Sequence, residues 1–510
     1  MAIKRYTANA DNTITNAYDS NLLTRVTGAN AGLADSLEVF NIYKQASTSS
    51  IEQSRVLVKF PISEISSDRS SSLIAESGST SFYLKMYNVK HAQTLPRNYD
   101  VQIFAASQSW DEGQGVDLDE HTDIGASNWV TASATGPTFW AVTGASAHTH
   151  SADNVPVLSY TANFPVGNED LELDVTDMVE KWMKGTYPMK NNYGFLILMS
   201  QSMRGPIGQT DEGAEETLYT KRFSARSSEF FFKRPVIEAR WDSRIKDDRG
   251  NFYYSSSLAR ESENKNVLYL YNVVRGRLRD IPGIHTSANV APILVSLYSS
   301  SHGSGGPTGS KLTLFDSAVN ATGGYVSTGI YSCSLCITSS KSLPLTKLHD
   351  VWHSDATTGT GVQYTTGTII PIVEDAELHA PSTQHVLNIT NLRAKYSNSE
   401  TARFRLFCRK KNWNPTIYSK ATADVVGDII ESASYSIYRT VDDLNVVPYG
   451  TGSDFHTFLS YDKSGSYFDF DMSMLDAGYQ YAIRLVFYND HVSAWREQPY
   501  TFKFRVEEVK

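Results

Sequence analysis

The sequence predicts a mainly β protein built as three serial β-sandwiches, and three observations carry that reading. Aromatic residues make up 12% of the chain, with 29 Tyr, 22 Phe and 8 Trp, and such side chains favour pleated, half-buried surfaces. Apolar and polar residues alternate with a period of two in several stretches, as they do when one face of a sheet is buried. Those stretches are short and are broken by Gly, Ser, Asn and Asp clusters, the punctuation of stacked sandwiches. A length of 510 residues allows about three domains at ~150 residues each. The 41% of hydrophobic residues is enough to fill their cores.

The elements follow in order. Phe82, Leu84 and Met86 alternate with Tyr83, Lys85 and Tyr87, which predicts a strand with one buried face. One segment departs from the β pattern. Val175, Met178, Val179 and Trp182 fall at i, i+3, i+4 and i+7, which predicts one short helix with Asp174 as N-cap and Gly185 as its stop. Tyr193 to Met199 reads as a fully buried strand, and Pro235 to Trp241 as the last strand of the first sandwich. The polar run Arg244 to Asn251 ends that unit, giving a first domain over 1–243. A second change near Leu378 to Gln384, after the buried-looking Ile369 to Val373, separates Ig-like sandwiches over 244–380 and 381–510. Within the middle unit, Ser301 to Ser310 reads as a hairpin or sheet-crossing loop. In the last domain Phe404, Leu406 and Cys408 alternate with Arg403, Arg405 and Arg409, with Phe407 the one exception. Tyr479, Tyr481, Ile483, Leu485 and Phe487 likewise oppose Gln480, Ala482, Arg484 and Val486. No strict internal repeat is present, which disfavours solenoids, propellers and β-helices.

Charge and cysteine usage exclude several function classes. The formal net charge is −9, with 46 Lys and Arg against 55 Asp and Glu. Without a dominant basic tract, this counts against nucleic acid and anionic membranes as main partners. Three cysteines in the whole chain exclude a disulfide framework. The opening Met-Ala-Ile-Lys-Arg-Tyr-Thr has no apolar core of a signal peptide, and the most hydrophobic run, Phe195 to Met199, is too short to span a bilayer. The expectation is a soluble protein made in a reducing cytoplasm.

Three candidate sites stand out. Cys333-x2-Cys336-x12-His349-x3-His353 has zinc-finger spacing, and two thiolates with two imidazoles suit tetrahedral Zn²⁺. The core positions of a finger, however, hold Ser340 and Thr346, and Pro344 interrupts the helix that should carry the histidines. The flanks read as strands, which turn Cys333 and Cys336 to opposite faces, so no metal is assigned here. The acidic loop of Asp111, Glu112, Asp117, Asp119, Glu120 and Asp123 offers hard oxygens to Ca²⁺, with Asp117, Asp119 and Asp123 the weak candidate ligands. Its spacing fails as an EF-hand at Thr122 and Asn128, and solvated loop charge is the weightier reading. His148 and His150 read as exposed loop residues. Trp110, Trp129 and Trp140 are candidate sugar-stacking residues, against the commoner role of a sandwich Trp in a core or an edge lid.

Catalysis finds no support. The chain has no Gly-x-Ser-x-Gly elbow, no phosphate-cradling Gly loop before a helix and no His-Glu-x-x-His. Carboxylate pairs are too abundant to discriminate anything. The expectation is a protein that is not an enzyme and has no catalytic residues and no cofactor.

Several segments resemble known families. Ser-Arg-Val-Leu-Val-Lys-Phe (54–60), the Trp-Asp-Glu-Gly-Gln-Gly-Val turn (110–116) and Asn-Trp at 128–129 are three of them. The Asp-Val-Thr-Asp-Met-Val-Glu-Lys-Trp helix followed by Asn-Tyr-Gly-Phe-Leu-Ile-Leu is the most specific, and Ser-Ser-Glu-Phe-Phe-Phe-Lys-Arg-Pro (227–235) is similar to a closing strand. Through these, residues 1 to about 243 resemble the DNRLRE-type β-sandwich domain, a jelly-roll-like module of extracellular, carbohydrate-associated and phage proteins. Thr-Ile-Thr-Asn-Ala-Tyr (13–18), Tyr-Leu-Tyr-Asn-Val-Val-Arg-Gly (269–276) and Leu-Ser-Tyr-Asp-Lys-Ser-Gly-Ser-Tyr-Phe-Asp-Phe-Asp-Met-Ser-Met-Leu (459–475) extend the likeness. The whole chain looks like virion structural proteins of contractile-tailed marine phages, cyanophages among them.

The resemblance implies a non-enzymatic virion protein of a tailed bacteriophage, assembled in the host cytoplasm. It would sit at the baseplate periphery, the fibre-attachment region or the neck of the tail, where sandwiches in series bridge rings of different symmetry. Its partners would be other virion proteins. The Tyr-rich surface adds an expectation of homo-oligomers, trimers favoured. The alternative is a receptor- or carbohydrate-binding adhesin of the virion that contacts a host surface glycan, and a depolymerase ranks third.

Overall fold

The computed structural model describes residues 2–21, 23–43, 51–92, 96–118, 126–133, 138–145, 158–186, 191–200, 217–256, 258–260, 262–284, 291–299, 311–314, 318–338, 345–354, 362–372, 384–413, 427–489 and 492–508. The chain is mainly β and divides into two compact units, Ala2–Asp242 and Ser243–Lys510.

The first unit contains β1 (Ile3–Thr7), β2 (Ala10–Thr15), β3 (Ser36–Tyr43), β4 (Ile51–Lys59), helix α1 (Ile62–Ser70), β5 (Thr80–Met86) and β6 (Tyr99–Ala105). There follow β7 (Thr131–Ser133), β8 (Thr138–Phe139), β9 (Ser159–Phe164), β10 (Leu171–Asp174), helix α2 (Thr176–Lys184), β11 (Phe195–Met199), β12 (Leu218–Ser224) and β13 (Val236–Trp241). One sheet runs β1-β13-β5-β10 and the other β12-β3-β4-β11-β6-β9, with β2 added along β4. In the first sheet Leu84 pairs with both Ile237 and Leu173, and Phe82 with Ala239. In the second, Ile197 lies between Val56 and Ile103, and Phe195 between Val58 and Ala105. These rows share one buried core, as the alternation in the sequence requires.

Strand β11 is buried at every residue, so both of its faces need cover. The segment between β6 and β9 covers the outer one. Arg55 shares the face of Leu57, two residues on. Its guanidinium donates to the Gly144 carbonyl at 2.6 Å and lies 4.5 Å from the Trp129 ring. Gly144, at φ +70°, is required there, because a Cβ would come within 2.7 Å of Arg55 Nη1 and 2.8 Å of Trp129.

Helix α2 forms where the periodicity places it, with Met178, Val179 and Trp182 buried. The Trp182 ring meets Phe195 edge-on at 5.0 Å, and Gly185 ends the helix in the left-handed conformation. The N-cap differs from the expectation. Val175 occupies the cap position, and the Asp174 carboxylate accepts the Thr176 N–H at 2.9 Å from one residue earlier. The expected single helix is also corrected, since α1 is a second one. Its Ile-Ser-Glu-Ile-Ser-Ser-Asp-Arg-Ser sequence is a poor helix former. Burial of Ile62 and Ile65 and a double hydrogen bond from Arg69 to Glu180 of α2, at 3.0 and 2.6 Å, hold it in place.

The second unit begins with β14 (Asn266–Tyr271), β15 (Val273–Val274), β16 (Arg277–Leu278), β17 (Ile293–Tyr298), β18 (Ala321–Ser327), β19 (Ile330–Leu335), β20 (Leu348–His353) and β21 (Gln363–Ile369). Six of these form the path β14-β19-β18-β17-β20-β21, while β15 and β16 make a separate ribbon. Strand β18 serves two neighbours, pairing with β17 through Ala321–Gly323 and with β19 from Gly324 onward. Gly323 permits the crossing, for a Cβ would lie 2.8 Å from Ile293 and 2.9 Å from the Ser332 carbonyl. The Ser301 to Ser310 loop, expected to cross or turn, lies outside the described residues.

The unit continues with β22 (His385–Ile389), β23 (Lys395–Ser397), β24 (Thr401–Lys410), β25 (Ala433–Arg439) and β26 (Asn445–Val447). It ends with β27 (Ser460–Asp462), β28 (Gly465–Asp471), β29 (Gln480–Asn489), β30 (Ala494–Glu497) and β31 (Phe502–Glu507). The sheet β22-β24-β28-β27 packs on β23-β31-β29-β25-β26, where Tyr435 of β25 stacks on Phe468 of β28 at 4.0 Å. The polar run Arg244 to Asn251 joins the two sandwiches of this unit. Lys246 pairs with Tyr461, the Tyr461 hydroxyl donates to Asp248 Oδ1 at 2.8 Å, and Asp248 Oδ2 accepts the Val267 N–H at 2.6 Å. Of the second boundary stretch, 378–383 lies outside the described residues.

Truncating Trp182 removes a buried ring from the α2 interface, so Trp182→Ala should destabilise the first unit by ~3–5 kcal/mol. Asp174→Ala removes one N-terminal hydrogen bond and should cost ~0.5–2 kcal/mol. Denaturant unfolding of the intact chain checks both, and equally negligible shifts would mean that α2 is not docked.

Candidate interaction surface

The zinc-like residues are distributed, not convergent. Cys333 lies on β19 opposite Leu268, Cys336 just beyond that strand, and His349 and His353 on β20. Strands β18 and β17 intervene between β19 and β20 in the sheet order. Both cysteines are buried, and burial pushes the Cys333 thiol up to about 12, so it stays protonated. His353 Nε2 is 2.7 Å from Ser296 Oγ, and His349 Nδ1 is 3.3 Å from Thr368 Oγ1. Among the described residues no three His, Cys, Asp or Glu side chains come together as a metal-ligand set. The Ser296–His353 contact has nucleophile–base geometry, but Ser296 is wholly buried and its hydroxyl donates to Asn320 Oδ1 at 2.7 Å.

In the acidic loop, Glu112 is spent on structure. Arg226 grips it through two bonds of 2.7 and 2.5 Å, and it accepts the Asp11 N–H at 2.8 Å. Asp111 and Asp117 are exposed, while Asp119, Glu120 and Asp123 lie outside the described residues, as do His148 and His150. Sequence reasoning missed Asp11, a buried carboxylate that accepts the Arg226 N–H at 2.6 Å. Burial pushes its carboxyl up to about 7, with Glu112 adding to the rise.

The candidate sugar-stacking residues are corrected. Trp110, Trp129 and Trp140 are 5, 8 and 5% exposed and belong to the core of the first unit. Trp110 donates its indole N–H to the Tyr193 carbonyl and Trp140 to that of Asn128, each at 2.7 Å. The loop that carries them folds back on the outer face of the larger sheet, so no ring face is open to a sugar.

One apolar feature that faces outward is the β15–β16 ribbon. Val273 pairs with Leu278 and Val274 with Arg277 across a two-residue turn, Arg275-Gly276, in which both residues have positive φ (52° and 76°). This is a type I′ hairpin geometry, with Arg at a position that favours Asn or Gly. Val273, Val274 and Leu278 are 57, 44 and 41% exposed. Alternation puts Val273 and Leu278 on one face, and Val274, Arg277 and Arg279 on the other. The base is fixed, because Asn272 N–H donates to the Gly329 carbonyl at 2.8 Å and Gly329 N–H to Asp280 Oδ1 at 2.7 Å. The guanidinium groups of Arg275, Arg277 and Arg279 have no hydrogen-bond or ion-pair partner among the described residues. Elsewhere arginines such as Arg69, Arg226, Arg249, Arg403 and Arg405 all sit on carboxylates. The signal in the sequence is Val-Val-Arg-Gly-Arg-Leu, two short apolar runs around a Gly-containing pair.

No known family model matches the chain, and no curated protein matches it. Among solved structures, the chain is similar to fibronectin(III)-like modules of Clostridium thermocellum CbhA, at 9% identity over 48% of this chain and 86% of that one, with a TM-score of 0.15. A marsupial T cell receptor matches at 10% identity over 48% and 70% of the two chains, with a TM-score of 0.16. Tandem Ig domains of titin match at 8% over 43% and 84%, with a TM-score of 0.14. Likeness at this level informs neither activity nor partners.

Two measurements follow from these placements. Elemental analysis should find no stoichiometric zinc, and the chain should fold fully in chelator; one zinc per chain, lost with second-unit stability on Cys336→Ala, would overturn this. The second concerns Asp11. The folded carboxyl keeps its proton up to about pH 7, whereas the unfolded one releases it near 3.8. The folded state therefore binds more protons within that window, and first-unit stability from this group falls as pH rises through it. Asp11→Asn keeps an acceptor for the Arg226 N–H and should flatten that decline, as urea unfolding at the two ends of the window would show.

Proposed function

We propose that the chain is a non-enzymatic structural component of a tailed bacteriophage virion, acting through protein–protein contacts at the baseplate periphery, fibre-attachment region or neck. The observation that carries this reading is the Val273–Leu278 ribbon. It holds in water aliphatic side chains and guanidinium groups that have no partner among the described residues, a combination that gains stability when a protein partner covers it. The likeness of segments 13–18, 269–276 and 459–475 to marine-phage virion proteins names the setting. The buried state of Trp110, Trp129 and Trp140 removes the platform that the adhesin reading relied on.

Quantitative mass spectrometry of purified particles should recover the protein in fixed ratio to other virion proteins. A glycan array and turnover assays on the purified chain should stay blank. Absence from the particles would end the virion reading, and a reproducible glycan signal would restore the adhesin.

A further inference from the structure

We infer that the β15–β16 ribbon docks on a second copy of this chain, at the turn between β25 and β26. The inference rests on the reading of the chain as a contact-making structural protein and names one partner for the ribbon. A surface that matches the ribbon must offer carboxylates beside exposed aliphatic area. The chain has 55 Asp and Glu against 46 Lys and Arg, and three of those arginines lie within the five residues Arg275–Arg279. A second copy is therefore an acidic partner for this one segment, while most of the remaining surface would repel it.

The β25–β26 turn supplies the matching groups. Val441 is 73% exposed, and Asp443, at φ +53°, is exposed with no cation partner among the described residues. Its neighbour Asp442 is already held by Arg439 through bonds of 3.0 and 2.6 Å. An aliphatic side chain next to a free carboxylate on one hairpin tip thus mirrors aliphatic side chains next to free guanidinium groups on the other. Guanidinium and carboxylate planes can form two parallel bonds, which fixes orientation as well as adding attraction. The contact joins different surfaces of the two copies, so it is heterologous. Repeated, it closes into a ring where the rotation allows.

Mixing two variants tests this directly. Arg277→Glu/Arg279→Glu spoils the ribbon and leaves the turn intact, while the neutral Asp443→Asn does the reverse without offering a cation to the altered ribbon, and both changes lie on exposed side chains. In sedimentation velocity the unaltered chain should form assemblies of more than two copies. Each variant alone should need about tenfold or more higher concentration for half-association. An equimolar mixture should form one-to-one dimers, since one good ribbon meets one good turn. A monomeric unaltered chain, variants that associate as it does, or a mixture that stays monomeric would each overturn the inference. Duplex DNA bound by the unaltered chain and released by the ribbon variant would assign the ribbon to phosphates and overturn it too. Particle composition is a separate readout, so rings formed by a protein absent from virions would refute the virion reading and leave this one standing.

Discussion

The apolar residues Phe195 to Met199 are out of water on both faces of β11, and a partner sheet can shield only one of those faces. The four-stranded sheet and α2 take the inner face, where Trp182 meets Phe195. The outer face needs a second cover of comparable apolar area. The long connection between β6 and β9 provides it with Trp110, Trp129 and Trp140, pinned by Arg55 through the Gly144 carbonyl and the Trp129 ring. Much of the first unit follows from that requirement, including the loss of any sugar platform.

Charge is handled by the same logic of enclosure. On the outer face of the four-stranded sheet, Glu238 is wholly buried, with Arg5 Nε and Arg240 Nε each at 2.7 Å and Lys85 nearby. Burial alone would raise its carboxyl, but Arg5, Lys85 and Arg240 outweigh it and hold the group down to about 2. A one-residue slip of β13 would turn Glu238 into the core without partners, so the cluster specifies register more than it adds stability. The ribbon is the contrast. Its three guanidinium groups stay in water, where a protein partner can still reach them.

Strand positions were legible because period-two alternation records which face is dry. Phe82, Leu84 and Met86, and Phe404, Leu406 and Cys408, are buried where the pattern puts them. Helix α2 was legible for the same reason at a period of 3.6. Helix α1 was not, because its serines leave only Ile62 and Ile65 as an apolar signal, and Arg69 holds it by reaching Glu180, 111 residues away. The run Arg244 to Asn251 reads from its polarity only as the end of the first unit. Its carboxylate at Asp248 instead bonds β14 with one oxygen and Tyr461 with the other, a pairing between segments that no local pattern records.

The sequence by itself determined the β class, the main strands, the one amphipathic helix and the absence of recognised catalytic patterns, since each depends on neighbours within a few residues. Tertiary structure decided where the zinc-spaced residues, Glu112 and the three tryptophans go. Cys333 and His353 lie on strands separated by two others, and Glu112 is taken by Arg226 across 114 residues. The tryptophans face inward because a distant arginine anchors their loop. Which polar groups are spent inside the fold and which are left for a partner is a question of long-range proximity, and spacing along the chain does not encode it.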